Sequence, residues 1–138
     1  MFYYDYYYLV LVVPAVIISL FAQIYVKRTY AKMSAIKNQR GITGYMAAQK
    51  VLAYYGVESV RIEQVSGKLS DHYDPRSNVI RLSPEVYSGT SVASVGIACH
   101  EAGHAAQHAQ NYVPIKVRNV ILPVANIGST MGFTIAII

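Results

Sequence analysis

From Leu9 to Tyr25 the chain reads LVLVVPAVIISLFAQIY, without a single charge. A helix hydrophobic all round must be surrounded by protein or by lipid, and a chain of 138 residues has little protein to spare for the purpose. As a helix these 17 residues rise about 26 Å, and tyrosines on either side extend the run to spanning length. Pro14 lies inside it, and membrane helices tolerate proline better than soluble ones. Ahead of it, Phe2-Tyr3-Tyr4-Asp5-Tyr6-Tyr7-Tyr8 supplies aromatic rings suited to the headgroup region. A cleaved signal peptide would need a positive start and small residues at the cleavage point. Here the first charge is Asp5 and the basic residues follow the apolar run, so a retained anchor is expected. The same charge bias places the N-terminus outside and the following segment in the cytoplasm.

The charges are segregated. Apart from Asp5, all lie between Lys27 and Arg118, and that middle stretch is what makes the whole chain's net charge +5. Five of the twelve basic residues, Lys27, Arg28, Lys32, Lys37 and Arg40, come directly after the apolar run. That is a juxtamembrane pattern, with membrane lipid as the partner. No basic stripe with interleaved aromatics occurs, so nucleic acid is not an expected partner; oligomeric state has no signature here. The single cysteine, Cys99, excludes a disulfide within the chain. Its position suits a small buried helix residue rather than a ligand.

Thr43 to Tyr55 carries apolar residues at helical intervals, and Gly56 is a natural stop. Val57 to Val65 alternates around Val60-Arg61-Ile62-Glu63 as a half-buried strand does. Ser66 to Ser70 reads as a turn and Asp71 to Asn78 as a second loop. Val79 to Leu82 is a short strand, and Ser83-Pro84-Glu85 a helix start with proline first. Ser88 to Ser91 breaks the chain and can cap the next helix, which runs from about Ser91 to Gln110. Lys116 and Arg118 precede a second apolar segment, Val120 to Ile138, whose Pro123, Asn126, Gly128, Ser129 and Thr130 suit packing against other helices. The chain closes on apolar residues with no polar flank or helix stop, and so reads as truncated.

Within the last soluble helix stands His100-Glu101-Ala102-Gly103-His104, the pattern H-E-x-x-H. Residues four apart share a helix face, so both imidazoles can reach one metal ion. Glu101 lies beside them as a general base for the attacking water. This is the arrangement of a zinc hydrolase that cuts peptide bonds. His100 and His104 are the expected Zn2+ ligands and Glu101 the expected catalytic residue. A catalytic zinc usually takes three protein ligands. His108 continues the series but lies about 12 Å along the axis from His100, too far to share one ion. The spacing H-E-x-x-H-x-x-G-x-x-H fails, because positions 107 and 110 are both Gln. Asp71, His72 and Asp74 read as turn residues, and Glu85 as a first-turn carboxylate. No Asp or Glu follows Glu101, so the third ligand is expected outside this sequence.

The run HEAGHAAQHA within SVGIACHEAGHAAQHAQNY, the downstream VILPVANIGS and the preceding SDHYDPRSNVIRLSPEVY together resemble the YugP-like neutral zinc metallopeptidases, a bacterial membrane family. The resemblance spans nearly the whole chain. It implies a membrane-anchored zinc peptidase with further membrane segments and a downstream glutamate as third ligand. His100, Glu101 and His104 carry over by position; the third ligand does not. In many zincins a strand edge beside the motif helix pairs with extended substrate; Asn78 to Leu82 is the best candidate for that here, the alternative being an ordinary sheet strand.

The expected fold is therefore α+β and mainly helical. It comprises an N-terminal transmembrane helix over 1–26, a basic connector over 27–42, a small zincin-like segment over 43–113 bearing the motif helix, and the start of a second membrane helix over 114–138. The expected function is membrane-anchored zinc endopeptidase acting on peptide or protein. The rival is a non-catalytic membrane protein using the histidine pair for metal binding or scaffolding, or an inactive fragment.

Overall fold

The computed structural model describes residues 6–67 and 70–137. The order of elements is α1 (Tyr6–Ser34), α2 (Gly44–Tyr54), β1 (Arg61–Gln64), β2 (His72–Asp74), β3 (Val79–Leu82), α3 (Pro84–Tyr87), α4 (Val92–Ala109) and α5 (Val113–Ile137). This is a mainly helical α+β arrangement around a small sheet. Part of the N-terminal aromatic cluster and part of the Ser66–Ser70 turn lie outside the described residues.

Helix α1 is a single element that runs past the apolar stretch to Ser34, taking Lys27, Arg28 and Lys32 with it. Leu9–Ser34 is long and apolar enough to cross a membrane, and none of its most apolar window is buried against the rest of the chain. The segment after it is tied firmly to the start of α4. Val92 N–H donates to Ile36 O at 2.8 Å, and Asn38 N–H to Thr90 O at 2.8 Å. The Asn38 side chain also donates to Ile42 O at 2.7 Å and accepts from Ile42 N–H at 3.0 Å. The end of α1 is thereby held against the helix that bears the motif.

Helix α2 begins where Thr43 Oγ1 accepts Met46 N–H at 3.2 Å, an N-cap that satisfies an otherwise orphaned donor. Gly56, at φ +66°, reverses the chain after it. Its buried face, Gly44, Ala47, Ala48 and Leu52, packs against Ser94, Ala98, Ala102, Ala105 and Ala106 of α4. Small side chains on both helices let the backbones approach closely. Gly44 marks a close approach of α2 to α3: its N–H donates to Gly89 O at 3.1 Å, and a Cβ there would sit 2.1 Å from Val86 O.

The sheet order is β1-β3-β2, with β1 parallel and β2 antiparallel to β3. Central position explains why Val79, Ile80 and Leu82 are wholly buried. It also overturns two expectations. The stretch Asp71–Asn78 is not all loop, because β2 forms over His72–Asp74. And Asn78–Leu82 has no free edge for substrate, since both sides of β3 are already paired; the free edge beside α4 belongs to β2.

Helix α5 is continuous over Val113–Ile137, so Lys116 and Arg118 lie within its first turns rather than ahead of it. Asn111 separates it from α4 at φ +55°, a left-handed residue of the kind that ends helices. The expected membrane role of this helix rests on composition alone.

Candidate active site

Helix α4 is capped by Ser91, whose Oγ accepts Ser94 N–H at 3.0 Å. One face of the helix is buried through its alanines. The stripe running through Val92, Gly96, His100, His104 and His108 is half-buried or exposed, and this is where the motif opens.

His100 Nε2 and His104 Nε2 stand 3.0 Å apart with the rings edge to face. Two nitrogens bound at about 2.05 Å in tetrahedral geometry would be about 3.3 Å apart. The pair therefore converges on a common point with only a few tenths of an ångström to yield. In the absence of a metal the same distance suits an N–H···N hydrogen bond. His104 Nδ1 lies 3.3 Å from Gln107 Oε1. An amide oxygen can only accept, so this contact puts the proton on Nδ1 and leaves the Nε2 lone pair for a ligand. Gln107 was legible only as the residue that breaks a longer histidine motif. Its place three residues after His104, on the same helix face, is the signal for its orienting role.

We expect Gln107→Ala to weaken zinc binding by about 10–100-fold, the usual effect of removing a group that orients a ligand histidine. Competition with a chromophoric chelator measures it, and unchanged affinity would remove Gln107 from the site.

Glu101 Oε2 accepts the Tyr73 N–H at 2.9 Å. That N–H points away from β3, at the free edge of β2. The bond ties the strand to the motif helix, fixes the carboxylate, and leaves its other oxygen available to take a proton. Tyr73 makes a second link through its hydroxyl, which lies 2.9 Å from Asn78 Oδ1 and 3.4 Å from His108 Nδ1. Asn78 Nδ2 donates to Ser59 O, so Asn78 Oδ1 accepts from Tyr73. The Tyr73 oxygen in turn accepts from His108. Burial, with Asp74 nearby, pushes the phenol of Tyr73 above its ordinary range. His108 is thus occupied with Tyr73 rather than joined to the histidine pair.

The upstream acids are also committed. Asp71 accepts from Ser83 N–H at 2.7 Å and from Ser83 Oγ at 3.0 Å, bracing the start of α3. His72 Nδ1 lies 2.7 Å from Ser70 O. Glu85 sits in the first turn of α3. Among the described residues no group of three or more His, Cys, Asp and Glu could hold a metal ion. Cys99, half-buried, has its thiol pushed up by burial and so behaves as packing.

Asp74 closes the β2–β3 turn. The Ser77 hydroxyl donates to it at 2.7 Å, Arg76 N–H at 2.9 Å and the Arg81 guanidinium at 3.3 Å. These bonds, Ser77 foremost, hold its carboxyl down to about 2. A depressed carboxyl stabilises the fold fully above its unfolded value of about 3.9, and the contribution is lost as pH falls toward about 2. A carbon-detected titration should find the Asp74 midpoint near 2; a midpoint near 4 would mean the turn is not formed as described.

Two cavities flank the histidine pair along α4. One, of about 290 Å³, holds His100 and Glu101 beside Asp71, Gly96 and Ile97. The other, of about 150 Å³, holds His104 beside Tyr73, His108 and Arg118.

Residues 8–138 match the family described as "putative neutral zinc metallopeptidase". The chain is similar to the Bacillus subtilis protein named "putative membrane protease YugP", with 40% identity over 119 residues. The match takes in 86% of this chain but spans only 53% of that relative's length. No solved structure matches.

Proposed function

This chain belongs to the neutral zinc metallopeptidase family, and on that premise we propose that it carries the base and two metal ligands of a membrane-anchored zinc endopeptidase. The observation that carries the reading is the convergence of His100 and His104 Nε2 at 3.0 Å with Glu101 fixed beside them. His100 and His104 would hold the ion, Gln107 orienting the second. Zinc, when bound, supplies Lewis acidity toward the scissile carbonyl and lowers the pKa of water. Glu101 takes a proton from the attacking water on its free oxygen and delivers one to the leaving amine. A third ligand is supplied from outside the described residues. The substrate is peptide or protein. An extended substrate would add to the free edge of β2, where Glu101 already takes the Tyr73 N–H, so an incoming strand and the base draw on the same donor.

Helix α1 would serve as the transmembrane anchor and α5 as the start of a second membrane helix. The basic residues at the end of α1 support a cytoplasmic catalytic segment. A protease-accessibility test on oriented vesicles would check the orientation.

The rival reading, a metal-binding or scaffold protein without catalysis, draws on the two-histidine set. Zinc stoichiometry and peptidase assay, on this chain and on a C-terminally extended form, separate the two. Metal binding with no hydrolysis in either form would favour the scaffold; failure of both to bind zinc would defeat the enzyme.

A further inference from the structure

A third, strongly apolar cavity of about 360 Å³ lies between the end of the anchor helix and the start of the motif helix. Tyr25, Val26, Tyr30 and Met33 form its α1 wall, and Val92 and Ala93 belong to its α4 wall. Its volume falls within the range of small-ligand sites. Gly96 and Ile97 line both this cavity and the one that holds His100 and Glu101. The two spaces therefore adjoin at Gly96 and Ile97 on α4. At the junction Gly96 has no side chain, and a Cβ placed there would meet nothing within 4 Å.

We propose that this groove is the subsite for a large apolar side chain of the peptide substrate, leucine- or phenylalanine-sized, with Gly96 as its open gate. The assignment rests on the peptidase reading above and adds a specificity to it. One helical turn, about 6 Å, separates Gly96 from His100. An extended peptide advances about 3.3 Å per residue. A side chain entering at Gly96 thus belongs to a residue one or two positions from the bond being cut. The groove's other wall is the end of the anchor helix, just past the apolar run. Apolar residues next to a membrane-embedded stretch of polypeptide are what such a wall is placed to receive.

The test uses the intact chain in detergent, zinc-loaded, and has two readouts. Peptides carrying a photoactivatable leucine are crosslinked to the Glu101→Gln protein and the labelled residues mapped. Labels within 25–33 and 92–97, lost in a Glu101→Gln, Gly96→Leu double variant, are the expected result. Labels elsewhere, or labels indifferent to Gly96→Leu, overturn the proposal. So does labelling of the groove by a photoactivatable phospholipid when the peptide gives none. The second readout is turnover of fluorogenic peptides differing only beside the cleaved bond. The preference in kcat/KM for Leu or Phe over Ala should fall about tenfold or more in Gly96→Leu, with a smaller fall in Gly96→Ala. An unchanged preference overturns the subsite. Both substitutions raise helix propensity, and the Cβ each adds meets no atom within 4 Å, so melting curves should show no loss of fold. Crosslinking that behaves as expected, with no hydrolysis by this chain or by a C-terminally extended form, would leave the groove standing and remove the peptidase reading instead.

Discussion

Replacing Glu101 by glutamine is expected to lower peptide hydrolysis by about 10²–10⁴-fold while zinc content stays at the wild-type level. The two side chains have the same shape. The glutamine carbonyl oxygen can still accept the Tyr73 N–H that Glu101 Oε2 accepts at 2.9 Å, so the tie between β2 and α4 survives. What the amide cannot do is take a proton from water at neutral pH. Because His100 and His104 are untouched, metal binding is a built-in control. Near-normal turnover in Glu101→Gln would sink the general-base role. Loss of zinc along with activity would mean that the carboxylate holds the metal, directly or through the histidines. The assay belongs on a form shown to turn over peptide, whether this chain or an extended one.

The second large effect falls on stability, far from the chemistry. Gly44→Ala should destabilise the fold by about 3 kcal/mol. Propensity argues the other way, since alanine is the better helix former by up to about 1 kcal/mol. Sterics decide the sign. The added Cβ would lie 2.1 Å from Val86 O and 3.1 Å from Ser94 O, both backbone atoms that no rotamer change can move. Relief requires α2 to back away from α3 and α4, opening the Gly44–Gly89 hydrogen bond and the alanine-lined packing beneath it. Gly103→Ala is the matched comparison: it is also helical, meets nothing within 4 Å, and should be neutral or slightly stabilising. Denaturant midpoints in detergent measure both. Equal midpoints for the two variants would show that α2 and α4 are not packed as closely as described.

These two residues differ in how they could be found. Glu101 and its neighbouring histidines are legible because a helix repeats every 3.6 residues, so spacing alone puts positions 100 and 104 on one face. The Ser91 cap and the Gly56 stop are legible for a similar reason, because each reports on backbone within a few residues. Gly44 is not, since its demand comes from Val86, a residue distant in sequence. The same holds for β2: His72-Tyr73-Asp74 is too short to show alternation, and it becomes a strand only by pairing with β3. Strand order was equally hidden, and so the substrate edge was expected on β3 when the free edge lies on β2. Gln107 sat in plain view, but its role depends on which way the His104 ring turns.

By itself the sequence determined the chemistry available: two imidazoles and a carboxylate on one helix, an uncharged run at the N-terminus, and basic residues directly after it. Those are properties of local spacing and composition, which short-range geometry and solvent preference dictate. Only the tertiary structure decided what the chemistry is fastened to. It set Glu101 against the edge of β2, turned His104 toward Gln107, and laid the end of α1 beside Gly96 so that an apolar groove adjoins the cavity that holds His100. Such contacts join residues far apart in the chain, and no local periodicity encodes them.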